Sequence, residues 1–143
     1  MLTLTRKEYE IEEPIVLKDA NGNNIYQFDM KITSEEMEQL KNLIFDERDV
    51  KNGRKLSKLE LEGKIEEYEE LEAKVLENAQ ERQEKIEKIC FKEHRESFKK
   101  VAGEYKYNEM LEMIFDFFVK TFADKKSQQI NTMNSHLKKI SNN

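Results

Sequence analysis

The stretch Ile15-Val16-Leu17-Lys18-Asp19-Ala20-Asn21-Gly22-Asn23-Asn24-Ile25-Tyr26-Gln27-Phe28-Asp29-Met30-Lys31-Ile32-Thr33-Ser34-Glu35-Glu36 carries the fold of the N-terminal part. Tyr26, Phe28, Met30 and Ile32 alternate with Gln27, Asp29 and Lys31, the period of a strand with one buried face. Asn21-Gly22 tolerates positive φ at both positions and predicts a hairpin turn between that strand and the apolar run before it. An isolated hairpin is marginally stable, so its aromatic face must lie on helices or on a partner. Thr33-Ser34-Glu35-Glu36 has the spacing of a capping box, with Ile32 and Met37 as a hydrophobic staple, so strand passes directly into helix.

Working outward, the hairpin extends over about 8–32. Met37, Leu40, Leu43 and Ile44 line a helix over about 34–49, closed by Asn52-Gly53. Ser57-Lys58-Leu59-Glu60 repeats the capping pattern and opens a long Glu/Lys helix over about 57–100, in which Gly63 is the strong local weakness. Glu60 with Lys64, Glu70 with Lys74, Glu81 with Lys85 and Glu84 with Lys88 stand at the favourable i,i+4 spacing. The apolar stripe of this segment is thin and is interrupted by Glu72 and Arg82, which argues for a helix covered on one narrow face and against a long coiled coil. Gly103 marks a turn before an aromatic helix over about 107–123, where half of the eight phenylalanines fall. Residues 126–143 read as a last docking helix or a partly ordered tail. The expected fold class is therefore α+β, mainly α: an N-terminal β-hairpin followed by three or four helices, with 1–125 as a single domain.

Composition narrows the function. The 143 residues suit one domain, and the 38% of charged residues leave enough apolar material for a modest core. Lys and Arg total 25 against 30 Asp and Glu, a net charge of -5, which lacks the one-signed basic footprint of a nucleic-acid binder. The opening Met1-Leu2-Thr3-Leu4 shows no basic-then-apolar leader and no run approaches a membrane span, so neither secretion by that route nor membrane insertion is expected. A single cysteine, Cys90, fits a reducing compartment.

Catalytic signatures are missing. The chain has two histidines, His94 and His136, and lacks a nucleophile elbow, a P-loop and a Gly-rich dinucleotide turn. Cys90 and His94 stand four apart, but zinc needs three or four protein ligands and no second pair accompanies them. Asp19-x-Asn21-x-Asn23 opens like a calcium loop, yet glycine falls at its fourth position and Met30 stands where a bidentate Glu belongs, so it reads as a turn. Neither an enzyme, nor a metal, nor any other cofactor is expected.

The order hairpin, capped helix, long Glu/Lys helix, Phe98-Lys99-Lys100-Val101-Ala102-Gly103-Glu104 and aromatic helix Tyr107 to Phe122 resembles the small tail assembly chaperones and minor tail proteins of long-tailed bacteriophages of Gram-positive hosts. The resemblance covers roughly residues 14–122. It implies a non-catalytic protein of the host cytoplasm that binds the tape measure protein and tail tube subunits. Members of that family are often also made in a frameshifted longer form. The candidate binding positions are the apolar Tyr26, Phe28, Met110, Met113, Ile114, Phe117 and Phe118, with neither nucleic acid nor membrane as a direct partner. Two further readings stand beside it. An acidic inhibitor of a host nucleic-acid enzyme would use the segment Glu60 to Glu72, with seven acids and one base, through Glu60, Glu66, Glu67, Glu69 and Glu70. A self-assembling subunit would form a homo-oligomer through Met110 to Phe122.

Overall fold

The computed structural model describes the backbone of residues 1–141 and the side chains of residues 1–126, 128 and 130–135. It is mainly helical with an N-terminal antiparallel hairpin, as the sequence predicts. Two compact units divide after Gly103: Met1–Gly103 and Glu104–Asn143.

In the first unit, β1 (Ile11–Lys18) pairs with β2 (Asn24–Ile32), Ile15 opposite Phe28 and Leu17 opposite Tyr26. The turn differs from the two-residue Asn-Gly form. Gly22 alone takes positive φ, at 83°, and the loop is organised by Asp19, whose Oδ1 accepts from the backbone N–H groups of Asn21 and Asn23 at 2.9 Å. These hydrogen bonds hold the Asp19 carboxyl below its ordinary pKa, the bond from Asn23 contributing most. The would-be calcium loop is thus a carboxylate-centred turn.

The inward face of β2 behaves as its alternation requires: Phe28, Met30 and Ile32 are buried, together with Ile15, Met37, Leu40, Cys90, Phe91 and Phe98. Helix α1 (Ser34–Ile44) starts on the expected capping box, Thr33 Oγ1 accepting from Glu36 N–H at 3.2 Å and Glu36 Oε1 from Thr33 N–H at 3.0 Å.

Beyond α1 the helix boundaries are corrected. The break falls at Phe45 and Asp46, where Asp46 accepts from Arg48 N–H at 2.9 Å and caps α2 (Glu47–Leu61). Asn52-Gly53 lies inside α2, and Ser57 is mid-helix and starts nothing. The reason is energetic: a mid-helix glycine costs about 1 kcal/mol relative to alanine, and an aspartate cap returns a comparable amount.

Gly63, with φ 69°, is a terminator: its N–H reaches Glu60 O at 3.1 Å while Lys64 N–H reaches Leu59 O at 3.0 Å, the paired bonds of a Schellman motif. The chain then folds back on α2 as α3 (Ile65–Phe91), so the long helix expected over 57–100 is instead a helical hairpin. Because the turn intervenes, Lys64 pairs with Glu62 at 3.1 Å across it, whereas Glu84 and Lys88 do form their i,i+4 pair, at 3.2 Å. Arg82, which breaks the apolar stripe, spans the hairpin. Its two terminal nitrogens donate to Asp49 at 2.7 and 2.8 Å, and Nη1 lies 3.8 Å from Asp46.

At Lys92 the backbone turns again, with φ 50° and ψ -126°; after a 3-10 turn, α4 (Arg95–Ala102) follows. The second unit is one helix, α5 (Glu104–Ser141). The expected break near residue 124 does not occur, because no glycine or proline interrupts 104–141. Asn142 and Asn143 lie outside the described residues.

Candidate functional site

Three groups of side chains merit a functional reading. The first surrounds the β2 face. Tyr26, Phe28, Phe91, His94 and Phe98 form one aromatic cluster, with Phe28 stacked on the His94 ring at 4.6 Å and Tyr26 edge-on to Phe98 at 5.5 Å. The Tyr26 hydroxyl is hydrogen-bonded to His94 Nδ1 at 2.8 Å. Of the two proposed binding positions here, Phe28 is buried core, while Tyr26 is half-buried and keeps some surface.

The same cluster bears on chemistry. Cys90 is buried, and burial pushes its thiol up to about 12, far from the thiolate that nucleophilic or metal chemistry needs. The turn at Lys92 separates Cys90 from His94, so the two do not share a helix. Among the described residues no group of three or more His, Cys, Asp or Glu is placed to hold a metal ion. The His136 side chain lies outside the described ones. Glu87, on a helix read as solvated surface, is buried, with Arg95 Nε at 3.4 Å and Gln83 Nε2 at 3.5 Å. Its partner Arg95 comes from beyond the turn, which no spacing rule within one helix reveals.

The second group is on α5. Tyr107, Ile114 and Phe118 share one face and are buried, so Ile114 and Phe118 are not surface positions. Met110, Met113 and Phe117 stand at i, i+3 and i+7 on the adjoining flank; Met113 is 64% exposed and the other two are half-buried. The exposed Phe115 points to the opposite flank. Within this helix Phe117 and Phe118 meet at 5.2 Å and Phe118 and Phe122 at 6.2 Å.

The third group is on the helical hairpin. Glu60, Glu66, Glu67, Glu69 and Glu70 are all exposed around its closed end. On its flank a groove of about 660 Å³ between α2 and α3 is lined by Arg48, Lys51, Arg54, Lys55, Lys58 and Lys74, with Leu71 at its apolar side and not one carboxylate. Arg48 is paired with Asp46 at 2.7 Å and Lys58 with Glu62 at 3.9 Å; Lys51, Arg54, Lys55 and Lys74 form no ion pair among the described residues. Net charge concealed this surface. Its signal is the i, i+3, i+4, i+7 spacing of Lys51, Arg54, Lys55 and Lys58.

No family model, no curated protein and no solved structure matches the chain. No described helix is long and apolar enough to cross a membrane.

Proposed function

We propose that the chain is a non-catalytic protein-binding protein that acts as a tail assembly chaperone in the host cytoplasm, holding apolar helices of a tape measure protein and meeting tail tube subunits. The observation that carries this reading is the flank Met110, Met113 and Phe117 of α5, where pliable methionines and a rigid ring reach solvent beside an already buried face. The tape measure client is inferred from the resemblance of the sequence to such chaperones, above all in Phe98 to Gly103 and the aromatic segment Tyr107 to Phe122. A charged helical hairpin keeps a complex of this kind soluble.

The test is capture of partners from infected or induced host lysate at low and high salt, with Met113→Asp and Phe117→Asp alongside. Met113 is exposed, so its substitution leaves the fold intact. Recovery of a long helical tail protein that survives salt and is lost in both variants supports the chaperone.

A second reading rests on the exposed glutamates Glu60, Glu66, Glu67, Glu69 and Glu70, which suit a basic nucleic-acid enzyme as target. Recovery of such an enzyme, stripped by salt and indifferent to Met113→Asp, overturns the chaperone in its favour.

A further inference from the structure

The helical hairpin carries two surfaces of opposite sign within a short distance of each other. The groove presents six bases and no acid, while the closed end, Glu60 to Glu72, has seven acids and one base. The apolar parts match as well. At the closed end Leu61 is 89% and Ile65 68% exposed, large side chains with nothing over them in the described chain, and the groove offers Leu71 between its lysine stems. Helix α2 buries none of its own residues.

We propose that the groove receives the closed end of the helical hairpin of a second copy, so that two chains pair antiparallel through these surfaces. Lys55 and Leu61 are six residues apart on α2, about 9 Å along its axis. A twofold axis between the two surfaces therefore places each closed end over the other copy's groove and makes both contacts at once, the isologous arrangement of most dimers. Leu61 and Ile65 enter between the lysine stems, and Glu66 and Glu67 meet Lys51 and Lys55.

A nucleic-acid strand suits the same groove less well. The acidic end lies within about a Debye length, ~8 Å at physiological salt, so a polyanion laid along the groove runs into seven carboxylates. A partner that presents both signs is attracted at both places. This pairing uses a different element from the α5 flank and stands or falls independently of the chaperone reading.

The experiment is sedimentation velocity of the full chain over a concentration series at about 50 and about 500 mM salt, spanning strong and weak screening. Wild type is expected to dimerise at low salt and dissociate at high salt. Lys51→Glu/Lys55→Glu sets two carboxylates in the groove where the acidic closed end must dock, and Glu66→Lys/Glu67→Lys sets two bases at the closed end; all four positions are exposed, and circular dichroism checks that each variant stays helical. Each variant alone is expected to associate about 100-fold more weakly or worse, and an equimolar mixture to regain the dimer, because each variant then meets its complement at both contacts. A wild type that stays monomeric at low salt, variants that dimerise like wild type, or a mixture that stays monomeric overturns the pairing. So does a monomeric chain that binds a single-stranded oligonucleotide through Lys51 and Lys55, which assigns the groove to nucleic acid.

Discussion

Replacing Lys92 with glycine and with alanine separates two opposing effects at the turn between α3 and α4. Lys92 is the one non-glycine residue with positive φ among the described residues, at φ 50° and ψ -126°. A side chain in so sparsely populated a region costs about 1–3 kcal/mol. The conformation is held by its ammonium group, which donates to Lys31 O at 2.8 Å, Glu36 Oε2 at 2.9 Å and Ile89 O at 2.8 Å, tying β2 and α1 to the end of α3. Buried, a charged donor contributes about 1.5–3 kcal/mol per bond. The Lys92 side chain is 37% exposed, so about 0.5–1 kcal/mol per bond is the fitting figure, or about 1.5–3 kcal/mol for the three.

Alanine loses the bonds and keeps the strain, so Lys92→Ala is expected to lower stability by about 1.5–3 kcal/mol. Glycine loses the same bonds but relieves the strain, less about 0.4–1 kcal/mol for the freer unfolded chain, and Lys92→Gly should be more stable than Lys92→Ala by about 1 kcal/mol. Inside a helix the order is reversed by about the same amount, which makes the sign diagnostic. Urea unfolding followed by far-UV circular dichroism measures it. An alanine variant equal to or more stable than the glycine variant would refute the strain, and an alanine variant as stable as wild type would refute the role of the ammonium bonds.

Two further outcomes are expected. The Asp46 carboxyl is lowered to about 2, first by hydrogen bonds from the Arg48 side chain and then by Arg48 N–H and the charges of Arg48 and Arg82. Its folded pKa lies below its unfolded one, so its stabilisation is complete above about pH 4 and is lost as pH falls through about 2; urea midpoints across that window should fall less steeply in Asp46→Asn, and equal slopes would remove the linkage. Cys90, 2% exposed, should resist a thiol reagent at neutral pH in the native protein and react fully in urea, with a native labelling rate set by opening of the core; rapid stoichiometric labelling of the native chain would contradict its burial.

What was legible was local. The two-residue alternation of β2 and the Thr33 capping box depend on side chains within a few residues, and both form as their spacing predicts. Local patterns also misled. Ser57-Lys58-Leu59-Glu60 has the letters of a capping box but sits inside α2, because the chain before it is already helical from the Asp46 cap. Gly63 reads equally as a flaw in a long helix or as its terminator, and only α3 folding back along α2 selects the second.

The interface positions illustrate the same limit. An apolar face in a strand or helix signals that something covers it without naming the cover, so Phe28 reads like Tyr26, and Ile114 like Met113, until burial separates them. The sequence by itself determined the mainly helical class, the hairpin and its buried face, and the acidic run Glu60 to Glu72, since each follows from periodicity, capping or charge along neighbouring residues. Tertiary structure alone decided that Lys92 holds a positive φ, that Arg82 clasps Asp49 33 residues away, that Glu87 is buried, and that bases on α2 meet Lys74 across a groove. These features need partners distant in the chain, and no local preference supplies a partner before the chain has closed on itself.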